Sequence, residues 1–506
     1  MNAGRCVDGR LSRATGRHDA VLWWCAFALG SGVLTAQAAD QPLTRDPIEG
    51  KWIGVIGSPK ERIDIGLEFK RDQAGALKLW LTQPISNYFA VDPGGTLVRK
   101  GDTVTHDALA LSLTLHDDRL EGSVPGPNSP VTLRRTKTLP TKPAPPRLPT
   151  GPEPRWQTRL GGLVYAAPTV ADGVAYIGST AGVFHAVNIS DGSLRWTFSA
   201  GRPIYGRATL ADAAVYFVAD NGFLFKLAVA DGKEIWRYAL GDGDVSRIPP
   251  HPAVFDWDWQ SSRPLIVDGS VYVGSGDGGM HALDATTGKR RWRFDTRARI
   301  RHGAALDGTR IVFGSADHFV YALERDSGQE VWRFDTNAEV DTTPVVHAGN
   351  VLVGNRGAGL FSLDSGTGAL TWRLYFWGSW VESTPVVVDD TIYIGSSDLR
   401  RISAIDPTTG NVRWRSDVYG WTFGTPLIHG DRIHVGAAGG VPYSIDHFAS
   451  YSTLDRNTGK LLTRRPLADS GGHQWGIAGS LARDGDTLVF ATIEGSLYGY
   501  PLTGSK

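Results

Sequence analysis

A small set of charged and aromatic side chains recurs at one register of a repeated segment in this 506-residue chain. Three positions before a recurring strand proline, or the residue that replaces it, stand Tyr165, Tyr205, Arg301, Asp341 and Glu382, with Arg207 and His302 close by. Asp341 and Glu382 offer the carboxylate oxygens that a hard cation such as Ca²⁺ prefers. Arg207 and Arg301 carry planar forks that match the carboxylates of an anionic ligand. Six tryptophans, Trp257, Trp259, Trp377, Trp380, Trp421 and Trp475, fall in connections of one kind, and an indole face stacks on a flat cofactor or a sugar. The competing reading is a hydrated polar channel whose charges pair across neighbouring segments.

The elements that must position these residues follow from a period. Trp156, Trp196, Trp236, Trp292, Trp332, Trp372 and Trp414 lie 40 to 42 residues apart, with one interval stretched to 56. From Trp196 on, each has a glycine four positions earlier, and Gly459 keeps that place where the tryptophan has become Thr463. Within each period a proline-containing strand (Thr342-Thr-Pro-Val-Val346) and a glycine-ended strand (Ile392-Tyr-Ile-Gly395) recur. Four short strands in about forty residues is the period of a propeller blade. Eight glycine-ended strands predict an eight-bladed all-β propeller over 155–503. Its last blade lacks an outer strand, which the orphan strand at Trp156 supplies, so that no sheet edge stays open at the closure. Residues 241–262 and 437–450 are insertions in blades three and seven, opposite one another in the ring. Both overhang the mouth where the six tryptophans emerge.

The repeated element reads Ala282-Leu-Asp-Ala-Thr-Thr-Gly288-Lys-Arg-Arg-Trp292 and Ala404-Ile-Asp-Pro-Thr-Thr-Gly410-Asn-Val-Arg-Trp414. It resembles the pyrroloquinoline-quinone (PQQ) repeat, found in quinoprotein alcohol dehydrogenases and in the propeller lipoprotein of the outer-membrane barrel assembly machinery. The resemblance covers about residues 153–503 and implies two functions. One is a non-catalytic envelope scaffold whose tryptophan-rich face meets a partner protein or a small-molecule ligand. The other is a dehydrogenase using PQQ and Ca²⁺ on an alcohol or sugar. There Asp341 and Glu382 would be metal ligands or base, Arg301 would polarise the quinone, and Trp380, Trp421 or Trp475 would flank the ring. The chain departs from both patterns. The quinoprotein enzymes stack the cofactor on a disulfide of adjacent cysteines, whereas the only cysteines here, Cys6 and Cys25, lie in the leader. Trp23-Trp24 before Cys25 do not suit lipidation. The scaffold is the favoured reading.

Upstream, Arg5, Arg10, Arg13 and Arg17, an apolar run from Ala20 to Leu29 and Ala36-Gln37-Ala38 predict a cleaved signal peptide over 1–38, hence a periplasmic or secreted protein without a membrane span in its mature part. Alternating Ile63, Ile65, Leu67 and Phe69 predict a small antiparallel β-domain over 46–138, with Trp52 and Trp80 in its core. Gly50-Lys-Trp52 resembles the opening of calycin-type barrels. Seven prolines between Pro140 and Pro154 make 139–154 a stiff linker. With 52 basic and 52 acidic residues, there is no electrostatic case for a nucleic-acid partner. A monomer is expected. Gly274-Ser-Gly-Asp-Gly-Gly279 fits a dinucleotide motif in letters only, since a strand follows it instead of a helix.

Overall fold

A computed structural model describes residues 46–57, 63–124, 130–241, 247, 258–441 and 445–503. The expected signal peptide, Trp257 and most of the blade-three insertion lie outside the described residues. The chain divides into two units, one of residues 1–83 and 89–140, the other of residues 84–88 and 141–506.

In the first unit nine antiparallel strands run up and down in sequence order, with the last (Pro130–Thr136) closing onto the first (Gly50–Ile56). The row opens between Tyr88–Val91 and Leu97–Lys100. Trp52 is fully buried and donates its indole N–H to the Ile48 carbonyl at 2.8 Å. The expectation of a core Trp80 does not hold. It is half-buried, because its strand turns it to the outer face, where the Lys70 ammonium lies 4.0 Å over the ring.

The second unit is the expected eight-bladed propeller. Eight sheets each carry four blade strands, the seventh with Gln474–Gly476 as a fifth, and the strand Trp156–Arg159 pairs with Ser496–Pro501 to complete the eighth. The two middle strands of each blade read as continuous apolar runs; in Val174–Gly178 all five residues are buried. A blade is covered on both faces by its neighbours, so alternation survives only on outer strands such as Leu194–Ser199. Phe184 of blade one stacks on Phe217 of blade two at 4.1 Å, inside one continuous core.

The conserved spacing of tryptophan and glycine now has a physical cause. The indole N–H of six outer tryptophans reaches a carbonyl of the next blade, as in Trp292 to the Arg325 carbonyl (2.9 Å) and Trp332 to the Ser365 carbonyl (2.9 Å). Its ring lies against that blade's turn glycine. A Cβ on Gly410 would sit 2.7 Å from the Trp372 ring, and Gly410 also has a φ of 73°, which a side chain disfavours. Ahead of that glycine, Asp406 accepts the amides of Thr408 and Thr409 at 3.0 Å each. The Arg413 guanidinium, together with these donors, lowers the Asp406 carboxyl to about 2.

In blade seven the second strand, Arg432–Gly440, overruns its sheet and pairs with Gln474–Gly476, the connection into blade eight. The insertion there is thus tied to the mouth by backbone hydrogen bonds.

Candidate functional site: the axial channel

Each inner strand starts at the mouth. The residue just before its proline, or the equivalent, faces the axis in all eight blades: Ala167, Arg207, Arg263, Gly303, Thr343, Thr384, Thr425 and Ser480. They line a cavity of about 160 Å³, which Tyr165, Tyr205, Trp259, His302, Glu382 and Phe423 also border. A repeat that places one residue of every blade at the same radius makes an eight-membered ring. Ring composition, unlike the fold, is free to vary from blade to blade.

Along one side of the channel runs a chain of ion pairs. Arg247 bonds Asp220 and lies near Asp258 (3.5 Å). Arg301 grips Asp258 with two parallel bonds of 2.7 and 2.8 Å, both residues being about 5% exposed. Arg299 pairs with Glu339 (2.9 Å). Arg356 meets Glu339 at 3.3 Å, Asp341 at 2.7 Å and Glu382 at 3.0 Å. Four arginines thereby face five carboxylates. Burial pushes the Glu382 carboxyl up to about 7, against the pull of Arg356. For Asp341 burial also pushes upward, but Arg356 and His302 outweigh it and hold the carboxyl below its usual range. Burial holds the His302 imidazole down at about 4, so that it is neutral at pH 7.

The sequence-predicted residues separate into three groups. Tyr165, Tyr205, Arg207, His302 and Glu382 come together around the cavity. Tyr165 is buried, its ring centre 5.2 Å from that of Trp259, and burial raises its hydroxyl to about 12. Arg301 and Asp341 lie behind them in the ion-pair chain. The indoles Trp377, Trp380, Trp421 and Trp475 do not border the cavity.

The expected exposed tryptophan face is corrected at three positions. Trp259, Trp421 and Trp475 are 5%, 4% and 8% exposed, because Trp259 packs against Tyr165 and Phe423 and the extended second strand of blade seven pairs with the backbone of Trp421 and Trp475. Trp421 stacks on His447 at 4.0 Å and donates to Asp398 at 2.9 Å. The Arg356 guanidinium lies 4.6 Å over the half-buried Trp380. Trp377, also half-buried, has a φ of 49° and meets Tyr375 edge-on. Sequence reasoning missed Arg263, although it precedes Pro264 just as Arg207 precedes Ala208. It also missed Arg247 and Asp258, which arrive from the blade-three insertion, and Arg356, which stands at the repeated turn position that Gly276 and Ala316 fill in the two preceding blades.

The donor set does not fit a divalent cation between Asp341 and Glu382. A guanidinium nitrogen already stands within hydrogen-bond distance of both, where such an ion would lie. Among the described residues no group of three His, Cys, Asp or Glu side chains is placed to hold a metal. Nor do the expected flanking indoles suit a flat quinone, since Arg356 covers Trp380 and His447 covers Trp421.

Fold and channel together define an eight-bladed propeller of PQQ-like repeats with a chain of ion pairs along one side of its axis. A family model described as outer membrane protein assembly factor BamB matches residues 149–275, 199–317, 227–374, 277–399 and 367–505, and the chain belongs to that family. A curated relative, outer membrane protein assembly factor BamB of Burkholderia pseudomallei (strain K96243), is 29% identical over 116 residues, 23% of this chain and 27% of the relative's length. The crystal structure of BamB from Moraxella catarrhalis superposes with a TM-score of 0.53 at 20% identity, over 69% of this chain and 97% of that one. Quinohemoprotein alcohol dehydrogenase from Comamonas testosteroni gives 0.52 at 15% identity, over 70% and 77%. Both structural likenesses concern the fold.

Proposed function

We propose that this protein is exported by its N-terminal signal and works in the cell envelope as a binding scaffold of outer membrane protein assembly, presenting the channel mouth to a protein partner. The observation that carries the reading is Arg356, which occupies the place between Asp341 and Glu382 that a catalytic cation would need. The match to the BamB family over the propeller supports it.

The mouth also offers apolar surface suited to a partner. Connections from outer to inner strands, and loops between second and third strands, leave a propeller on the same side. Leu163, Val441 and Phe448 belong to such segments and are 45%, 37% and 38% exposed. A photoreactive residue at Leu163 or Phe448 should crosslink an outer-membrane assembly protein, whereas one at Ile235, on an outer strand, should not. Equal crosslinking from Ile235, or dye-linked alcohol oxidation by the protein with added PQQ and Ca²⁺, would sink the proposal.

A further inference from the structure

We propose that the axial cavity binds a small dianion through carboxylate or phosphate oxygens, gripped between Arg207 of blade two and Arg263 of blade three. This goes beyond the scaffold reading and does not depend on it.

The two arginines stand at the same register of adjacent blades and are held by one repeated device. The Arg207 Nε donates to Thr169 Oγ1 at 3.3 Å, and the Arg263 Nε to Thr209 Oγ1 at 3.2 Å. Each threonine hydroxyl spends its own proton on a carbonyl of the following blade, Ala208 and Pro264, at 2.6 Å in both cases. The threonine can therefore only accept from the arginine, which fixes the Nε edge and leaves the Nη edges toward the channel. Elsewhere around the axis Arg247, Arg301 and Arg356 are each met by a carboxylate. Arg207 and Arg263 have no carboxylate at ion-pair distance among the described residues, and their charges repel each other. Burial, helped by that repulsion, brings the Arg207 guanidinium down to about 10, which still leaves it charged at pH 7.

The same wall holds further groups without partners. Among the described residues, Trp259 Nε1, which can only donate, is buried with no acceptor, and His302 Nε2, a donor in one tautomer of the neutral ring, is buried without a partner. Glu382, the one acid bordering the cavity among the described residues, has its Oε2 unpartnered as well; its raised titration lets the carboxyl carry a proton and donate. An acceptor-rich ligand of charge −2 would answer both cations and the orphan donors. The cavity of about 160 Å³ has room for several waters, and so for a phosphate or a short dicarboxylate.

The test is calorimetric titration of the whole protein, in buffer free of other multivalent anions, with inorganic phosphate, with succinate and with acetate. Saturable one-to-one binding of phosphate or succinate, with acetate much weaker, is expected, and whichever dianion binds tighter identifies the ligand's chemistry. Arg207→Gln and Arg263→Gln should each weaken it about 10- to 100-fold, the loss of one charge-assisted pair. Arg263 has an exposed side chain, so Arg263→Gln should fold even if Arg207→Gln does not. Absence of binding by both dianions at about 10 mM, acetate binding as tightly, or affinity unchanged in Arg263→Gln would each overturn the proposal.

Discussion

The clearest quantitative consequence of the channel concerns Glu382, which is 3% exposed and shares Arg356 with Asp341 and Glu339. Its carboxyl rises from the ordinary 4.5 to about 7, and each pH unit of displacement corresponds to about 1.4 kcal/mol. The native state therefore binds more protons than the unfolded chain between these two values. Stability contributed by Glu382 is complete below about pH 4.5 and lost as pH rises through about 7, a loss of roughly 3 kcal/mol. Asp341 shifts the other way and acts only below its ordinary 3.8, outside this window. Glu382→Gln keeps a carbonyl acceptor for Arg356 and removes the titration. Urea unfolding of wild type and variant at pH 4.5 and pH 8 isolates the effect, because other groups cancel in the difference. The variant should gain about 3 kcal/mol relative to wild type on going to the higher pH. A difference that stays constant within about 0.5 kcal/mol would show that Glu382 is ionised throughout and that the account of the ion-pair chain is wrong.

Further outcomes follow from the same geometry. Gly410→Ala places a Cβ at 2.7 Å from Trp372 at positive φ and should lower stability by about 3 kcal/mol. Gly308→Ala, with a φ of 60° and nothing within 4 Å, should lose only about 1 kcal/mol, so denaturant midpoints separate the clash from the backbone term. Burial holds His434 at about 4, below its ordinary 6.5, so its contribution is present above pH 6.5 and lost as pH falls to about 4. His434→Gln should therefore remove about 3 kcal/mol of acid sensitivity in unfolding curves at pH 4 and 7. Asp258→Asn strips Arg301 of its bidentate partner and should destabilise by about 3–5 kcal/mol in urea. Trp156→Ala should lower the thermal midpoint of the propeller, since it opens the joint of the eighth blade and removes about 3–5 kcal/mol of packing.

Spacing alone determined the blade count, the closing strand and the channel register. A repeat must satisfy the same turn, the same tryptophan contact and the same inner strand eight times, and that constraint writes itself into sequence periodicity. Arg301, Asp341 and Glu382 were legible as axial residues for this reason, and Arg263 was equally legible one ring further in. What those residues face was not. Arg247 and Asp258 come from an insertion that no repeat constrains, and Arg356 stands at a repeated turn position whose side chain varies from blade to blade; Arg356 turns two apparent metal ligands into members of an ion-pair chain. The indoles could be placed at the mouth from sequence, yet only the folding back of the blade-seven insertion onto Gln474–Gly476 decided that Trp421 and Trp475 are buried. Local patterns are set by short-range sterics and hydrogen bonding. Charge pairing and burial depend on which distant segments converge on the axis, and that is a property of the closed ring.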